Sequence, residues 1–376
     1  MAGFDAADPF SRKVPVGTPG PLPPKLRLGV PDAGSRRFCG DERAERAFDA
    51  GLADAAALGL ELRAVDLAPF FAVAELLYGG PWVAERYQAI RAFIEATPQA
   101  LHPVTRGIIQ GAARFSAADA FAGLYGLAEL RRATEPVWHD IDALLVPTYP
   151  RPRSVADLEA DPISPNSELG TYTNFVNLLD LCALAVPGRF RADGFPSGLT
   201  LIAPAGRDAF LASLGAALHA EAAVPLGATG VPLPLAPPRS ARAGNDEIEL
   251  AVVGAHLSGM PLNGELTSRG ARFLRAVATT PDYRLFALAG GPPRRPGLMR
   301  VRDGTGYAIE TEVWAVPLET FGSFVAGVPA PLGIGTTRLA DGTAPKGFIV
   351  EAEAVNGAED VSAFGGWRAY LGGLPG

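Results

Sequence analysis

The sequence predicts an α/β domain followed by a smaller α+β domain. Residues 24–67 read as a short apolar strand, an amphipathic helix and a second strand, which is typical of the α/β class. A proline-rich stretch then separates two kinds of sequence, and short strands and turns predominate after it. We therefore expect a lead-in at 1–23, a first domain at 24–222, a linker at 223–246 and a second domain at 247–376.

Apolar spacing and turn residues predict the elements of the first domain. The helix after Asp41 has a capping residue and an apolar face that includes Phe48 and Leu52. The helix at 117–139 is expected to turn Phe121, Leu124, Leu127 and Leu130 inward, and 148–170 is expected to be a long loop. The predicted strands are 25–31, 60–67, 142–146, 181–186 and 198–202, and the predicted helices are 41–58, 70–77, 81–96, 117–139 and 208–222.

The second domain is expected to consist mainly of short strands. We predict strands at 249–253, 283–288, 306–315 and 346–354, because apolar residues alternate there between turn signals. One helix is predicted from Asn263 through Arg272 to Val277. The aromatic tail at 363–371 is expected to pack back on the preceding strands.

Composition and charge exclude several classes of function. The net charge of −7 disfavours binding to nucleic acid or to an acidic membrane. Cys39 and Cys182 make neither a disulfide framework nor a metal site, and His102, His139 and His219 do not have ligand spacing. No uncharged apolar run reaches about 18 residues, and no signal pattern is present at the start. We therefore expect a cytoplasmic protein without a metal, a cofactor or a membrane span.

The stretch at 252–263, V-V-G-A-H-L-S-G-M-P-L-N, is the first place to look for chemistry. An apolar strand runs there into a turn with Gly254, Gly259 and Pro261, and small residues let a ligand approach backbone N–H groups closely. The turn carries His256, after which the sequence contains no further histidine. A buried structural histidine beside an ordinary turn is the alternative interpretation.

Three segments resemble a known family. Residues 170–208 (from G-T-Y-T-N-F-V-N to L-I-A-P-A-G-R-D) resemble the C-terminal part of the amidase-signature fold, although Asp180 and Cys182 stand where Gly and Pro are common. That departure and the segment E-L-L-Y-G-G-P-W-V-A-E-R-Y at 75–87 resemble the allophanate hydrolase branch. The second domain resembles the allophanate hydrolase C-terminal domain, whose fold is related to γ-glutamyl cyclotransferase-like proteins.

The resemblance implies both the fold and the activity. The first domain would be the C-terminal half of an amidase-signature α/β/α fold, and the second a small α+β, cyclotransferase-like β-barrel. The activity would be a two-step breakdown of allophanate (urea-1-carboxylate) in urea degradation. An amidase step releases ammonia, and the second domain helps to decarboxylate the N-carboxycarbamate product. A biotin-dependent urea carboxylase would supply the substrate, and the assembly would be a homodimer.

The catalytic residues of the amidase family are missing from this sequence. Such enzymes use two serines and a lysine, in which the lysine activates the nucleophile through the second serine. No Ser-Ser dipeptide occurs here, and Lys13, Lys25 and Lys346 do not stand in the right context. We therefore expect the family motif upstream of residue 1, through truncation or a split gene, and no amidase step by this chain alone.

The resemblance also implies substrate contacts in the first domain. Tyr78 and Arg86 match positions that contact substrate in this branch, and a guanidinium can hold the carboxylate of allophanate through two parallel bonds. The alternative is an exposed arginine on a helix and a tyrosine that caps a core. Thr171, Tyr172 and Asn174 are weaker candidates for the same pocket.

His256 is the predicted catalytic residue of the second domain. A histidine near neutral pKa can donate a proton to the nitrogen of N-carboxycarbamate. The G-A-H-L loop would bind the carboxylates through Gly254, Ala255 and Leu257, and Asn263 would orient the histidine or the ligand.

Two other charged pairs in this domain are interpreted as ordinary surface residues. We interpret Glu310 and Glu312 as solvated strand residues, although either carboxylate could act as an acid or base. Arg294-Arg295 is interpreted as a surface turn in a proline-rich loop.

Two further functions stay open. The chain could be a stand-alone decarboxylation domain for small carboxylates, attached to a vestigial amidase half. Alternatively, it could be a non-catalytic module for assembly with a partner chain or with itself.

Overall fold

The computed structural model describes residues 3–14, 17–234, 240–302 and 304–374. The chain separates into two compact units. The first unit comprises Arg27–Ala205 and Gly215–Pro234, and the second comprises Met1–Leu26, Gly206–Leu214 and Leu235–Gly376. The domain boundaries expected from the sequence remain a prediction, and part of the expected linker lies outside the described residues.

A mixed five-stranded sheet forms the centre of the first unit. Its order is β2-β1-β3-β5-β4, with β1 parallel to β2 and β3, and β5 antiparallel to β3 and β4. The strands are β1 Arg27–Pro31, β2 Glu61–Val65, β3 Ala143–Pro147, β4 Leu181–Pro187 and β5 Gly198–Pro204. All five residues of β3 are buried, because β3 is the central strand. The α/β class predicted for this part of the chain is confirmed.

Helices follow the strands of this sheet. They are α1 Glu42–Ala57, α2 Ala68–Gly79, α3 Trp82–Ala96, α4 Pro103–Gln110, α5 Ala117–Thr134, α6 Val137–Asp140, α7 Val155–Ala160, α8 Ser164–Leu169 and α9 Phe175–Leu178, and then α10 Asp208–Ala222, whose residues fall in both units. The predicted cap of α1 is confirmed, since Asp41 Oδ1 accepts the N–H groups of Arg43 and Ala44, each at 3.0 Å.

The prediction for the longest helix is wrong in its end and in part of its buried face. The helix ends at Thr134, because Pro136 cannot continue it, and α6 follows separately. Phe121 and Leu124 are exposed, whereas Leu127 and Leu130 pack against the core. The inward face is set by the buried Gly123, where a Cβ would lie 2.7 Å from a Pro81 ring atom, so that α3 approaches closely there.

The stretch at 148–170 is not a plain loop as predicted. It contains α7 and α8, and α7 begins with a reciprocal cap in which Asp157 N–H donates to Ser154 Oγ and Ser154 N–H donates to Asp157. Serine followed three residues later by aspartate was the signal for this helix.

Two sheets form the second unit. A five-stranded sheet has the order β11-β12-β6-β10-β7, and a three-stranded sheet has the order β13-β8-β9. The strands are β6 Glu247–Val252, β7 Arg272–Ala278, β8 Tyr283–Ala287, β9 Pro296–Arg300, β10 Glu310–Pro317, β11 Leu332–Thr336, β12 Lys346–Val350 and β13 Glu359–Asp360, and the helices are α11 Asn263–Thr267, α12 Leu318–Ala326 and α13 Trp367–Gly372.

The predicted helix from Asn263 to Val277 is wrong beyond its first turn. Only α11 is helical, Gly270 then adopts φ +79°, and β7 pairs antiparallel with β10. The alternation in R-F-L-R-A-V-A is a strand pattern, and pairing with a buried partner strand decides the outcome.

The predicted closed barrel is not found among the described residues. Neither sheet is closed by a strand ladder, and β7 and β11 are the edges of the larger one. A single bridge between Thr279 and Leu339 joins the end of β7 to the segment after β11. The aromatic tail packs inward as predicted, with Trp367 and Tyr370 buried in the same core as β6.

Candidate functional site

The loop that follows β6 is held close to the start of β9. A Cβ on Gly254 would lie 2.4 Å from ring atoms of Pro296, so only glycine permits this approach. The loop closes on itself, because Leu257 N–H donates to the Gly254 carbonyl (3.0 Å) and Leu262 N–H donates to the Ala255 carbonyl (2.8 Å). These bonds place residues 254–256 at a fixed position beside the end of the strand.

A buried carboxylate holds the other side of this loop. Glu312 on β10 accepts the Ser258 N–H at 2.8 Å, the Ser258 hydroxyl at 2.6 Å and the Trp314 indole N–H at 3.1 Å. The Arg368 guanidinium from α13 donates to both Glu312 and the Ser258 carbonyl. Glu312 is 0% exposed, so its interpretation as a solvated strand residue is wrong, whereas Glu310 is partly exposed.

His256 lies in an aromatic environment. Its ring stacks on Phe348, with ring centres 5.0 Å apart, and meets Phe324 edge to face at 5.3 Å. His256 Nε2 is 3.1 Å from Glu265 Oε2, in the first turn of α11. Asn263 Nδ2 donates to the His256 carbonyl at 2.8 Å, so Asn263 orients the loop backbone. The imidazole is therefore held on three sides.

The same environment sets the pKa of His256. Burial lowers its pKa below the ordinary 6.5, and the opposing effect of the Glu265 carboxylate is smaller. The positive charge of Arg269 also lowers it. The ring is therefore neutral at pH 7. A neutral ring that donates Nε2–H to Glu265 leaves Nδ1 as an acceptor.

A cavity of about 170 Å³ opens beside His256, well above the roughly 10–15 Å³ that one water needs. Its lining is largely apolar, and the polar side chains in it are those of His256, Glu265 and Arg295. Among the described residues, the Arg295 guanidinium has no carboxylate or hydrogen-bond partner. The interpretation of Arg294-Arg295 as a surface turn did not anticipate that Arg295 lines a cavity.

Backbone donors at the cavity are also unpaired. The N–H groups of Gly254, Ala255 and His256 donate no hydrogen bond to any described residue. Gly254 and Ala255 are buried, and buried N–H groups are nearly always paired in native proteins. Leu257 differs from the prediction, since its N–H is used within the loop. The candidate donors to a ligand are therefore residues 254–256.

Tyr78 and Arg86 meet in the first unit, as their predicted shared role requires. The Arg86 guanidinium lies 5.1 Å from the centre of the Tyr78 ring, and its Nη2 is 3.4 Å from the Leu77 carbonyl. The Tyr78 ring is 50% exposed. These contacts leave most donors of Arg86 available to an anion.

The weaker candidate Tyr172 is a core residue instead. It is 0% exposed, and its hydroxyl accepts the Arg37 N–H at 2.6 Å. Thr171 donates to the Glu168 carbonyl at 2.7 Å. A tyrosine in such a position ties the turn before α9 to the loop after β1, so the predicted pocket contact by Tyr172 is wrong.

Sequence reasoning missed Glu265, Arg295 and the role of Glu312. Glu265 carried a weak signal, as an acidic residue in the first turn of a helix that follows the histidine loop.

In the described ranges no group of three or more His, Cys, Asp or Glu side chains is placed to hold a metal ion. Within the same ranges every helix is too short or too polar to span a bilayer.

Known proteins match both parts of the chain. The family model described as Amidase matches residues 9–211, and the one described as Allophanate hydrolase C-terminal domain matches 248–372. Urea amidolyase of Saccharomyces cerevisiae is 40% identical over 327 residues, which cover 83% of this chain and 18% of that protein.

Solved structures agree with the family models. Kluyveromyces lactis allophanate hydrolase matches with a TM-score of 0.64 and 36% identity, covering 98% of this chain and 62% of that chain. Kluyveromyces lactis urea amidolyase matches with a TM-score of 0.66 and 36% identity, covering 98% and 23%. The chain thus spans less than two thirds of these relatives. It belongs to the amidase family, and its C-terminal part is an allophanate hydrolase C-terminal domain.

Proposed function

We propose that the chain carries the substrate-binding and decarboxylating parts of an allophanate hydrolase that acts in urea degradation. The relatives named urea amidolyase and allophanate hydrolase support this assignment. The observation that carries it is the His256 site, where a buried imidazole, an unpaired guanidinium and free backbone N–H groups surround one cavity. Such convergent polar groups in an apolar cavity are typical of a small-molecule site.

The proposed chemistry has two steps. Hydrolysis of allophanate gives N-carboxycarbamate and ammonium. In the second step, the C–N bond to one carboxylate breaks, its electron pair stays on nitrogen, and carbon dioxide leaves. One proton adds to that nitrogen, and the other product is carbamate. We assign the second step to the cavity and the delivery of the proton to His256.

Substrate charge gives a reason for His256 to act as the acid. Burial keeps the pKa of His256 below 6.5, so its ring is neutral at pH 7. A dianion beside the ring favours the imidazolium and raises that pKa. The histidine therefore takes up a proton as the substrate binds and releases it to nitrogen as the C–N bond breaks. Glu265 holds Nε2 and stabilises the imidazolium.

In the first unit, we assign recognition of the allophanate carboxylate to Arg86 and Tyr78. The support is the contact between their side chains and the donors that Arg86 leaves unused. The sequence offers no Ser-Ser pair and no lysine in the right context. We therefore propose that this chain alone does not release ammonia from allophanate.

Further assignments follow from the same proposal. Allophanate would come from a biotin-dependent urea carboxylase, the site of action would be the cytoplasm, and the assembly would be a homodimer. We also propose that the second unit is a cyclotransferase-like fold whose larger sheet curls without closing. The bridge between Thr279 and Leu339 supports that curl.

The test measures carbon dioxide release from N-carboxycarbamate. An allophanate-hydrolysing amidase that lacks a C-terminal domain generates this intermediate in the assay, and mass spectrometry of dissolved gas follows carbon dioxide. Adding the purified chain accelerates release, and His256→Gln reduces the acceleration about 10²- to 10⁴-fold. His102→Gln, at an exposed histidine, is the matched control and keeps it.

Two results would contradict the proposal. The first is equal carbon dioxide release with the wild-type chain and with a folded His256→Gln variant. The second is ammonia release from allophanate by the chain without the added amidase.

A further inference from the structure

We infer that Arg295 and the free N–H groups of Gly254–His256 form a subsite that selects a small dicarboxylate in the His256 cavity. This inference rests on the proposed function and names the residues that determine its specificity. Arg295 precedes Pro296, the residue on which Gly254 packs, so the packing of the two loops brings the Arg295 backbone close to the loop that carries the backbone donors, and both line the same cavity. The Arg295 carbonyl accepts the Leu288 N–H at 3.1 Å, which anchors its backbone.

The unpaired charge at the cavity is that of Arg295. Among the side chains that line the cavity, Arg295 is cationic and Glu265 is anionic, while the neutral His256 adds no charge at pH 7. Arg269 lies with its guanidinium 5.8 Å from the centre of the Phe324 ring and donates to the Glu265 carbonyl at 2.7 Å. The Glu265 carboxylate is engaged by His256 Nε2. The Arg295 guanidinium, which has no described partner, is therefore the lining charge that favours an anionic ligand.

Two sets of donors suit two carboxylates. An arginine fork binds one carboxylate through parallel charge-assisted bonds, and consecutive backbone N–H groups bind a second anionic group. Most of the remaining lining is apolar and offers no side-chain partner for further polar groups; it includes Phe324, Val328, Leu332 and Phe348. The arrangement therefore selects a short, unsubstituted dicarboxylate over a monocarboxylate or a larger polar molecule.

The experiment uses malonate, in which a methylene replaces the nitrogen of N-carboxycarbamate. Calorimetry measures its binding to the full chain carrying Arg86→Gln, so that the predicted contact in the first unit cannot contribute. We expect saturable binding that Arg295→Gln weakens about tenfold or more. Arg294→Gln, at the exposed neighbour in the same turn, is the matched control and changes affinity less than about twofold. Acetate binds at least about tenfold more weakly than malonate.

Three results would overturn the subsite. They are no saturable binding of malonate, equal affinity in the Arg295→Gln variant, and equal affinity for acetate and malonate. In the carbon dioxide assay, Arg295→Gln raises KM and keeps kcat within a few-fold, since it removes binding and not the proton donor. Malonate binding that depends on Arg295, without any acceleration of carbon dioxide release, would refute the decarboxylation and support the subsite.

Discussion

The buried carboxylate of Glu312 is expected to hold the histidine loop in place, and Glu312→Gln tests this. The substitution keeps the shape of the side chain but puts an amide N–H₂ among groups that all donate. Those donors are the Ser258 N–H and hydroxyl, the Trp314 indole N–H and the Arg368 guanidinium. One or more of them is left without an acceptor, and the charge of Arg368 loses its fully buried partner.

The contacts of Arg368 determine how much stability Glu312→Gln removes. Removing one partner from a buried ion pair costs about 3–5 kcal/mol, because the remaining charge stays desolvated. Arg368 keeps a second bond to Glu310 at 2.9 Å, so we expect the lower end, about 3 kcal/mol. For a domain of this size that corresponds to a fall in melting temperature of roughly 6–12 °C.

The assay is urea denaturation of the full chain followed by hydrogen exchange of peptides from the second unit. Glu310→Gln is the matched control, because Glu310 binds the same arginine but its side chain is 42% exposed. It is expected to cost less than about 1 kcal/mol. Equal losses of stability in the two variants would refute the assignment of Glu312 as the anchor of the loop.

Two further predictions concern His256 and Gly254. Because burial lowers the folded-state pKa of His256, the unfolded chain binds more protons below pH 6.5, and the free energy of unfolding falls as the pH drops below that value. His256→Gln flattens this fall, and denaturation curves with the same pH dependence in both proteins would contradict it. Gly254→Ala places a Cβ 2.4 Å from Pro296 and is expected to cost about 1–3 kcal/mol and to remove the acceleration of carbon dioxide release. Gly264→Ala meets nothing within 4 Å and is expected to be neutral; equal melting temperatures and activities in these two variants would show that the loop tolerates displacement.

Much of the secondary structure was predictable, because it depends on residues close in the chain. The strands of the first unit and the cap at Asp41 follow from apolar spacing and a capping side chain. Two predictions failed, for the helix at 263–277 and for the buried face of α5, and in both cases contacts with another element decided the outcome. Residues 272–277 alternate like a strand, and pairing with β10 makes them one. The face of α5 passes through Gly123, whose lack of a side chain lets α3 approach.

The family resemblance was also visible in short segments, and the matched family models confirm it. The resemblance implied a catalytic role for His256, in a loop that the glycines and the histidine already marked, and the structure places this loop beside a cavity. The catalytic role of that residue and the substrate role of Tyr78 and Arg86 remain predictions. Hydrophobic pattern alone gave no reason to expect a carboxylate as deeply buried as Glu312.

The sequence by itself determined the family, the α/β character of the first part and the loop in which a single histidine follows a strand and a glycine. Only the tertiary structure decided which charged residues surround that loop and its cavity. Glu265 in the first turn of α11 contacts the imidazole, Arg295 before β9 lines the same cavity, and Glu312 on β10 holds the loop that carries the histidine; no sequence spacing relates the three. Their roles depend on desolvation and on distances of a few ångströms, which arise when the sheets pack, and that packing turns a surface-turn arginine and a strand glutamate into parts of one site.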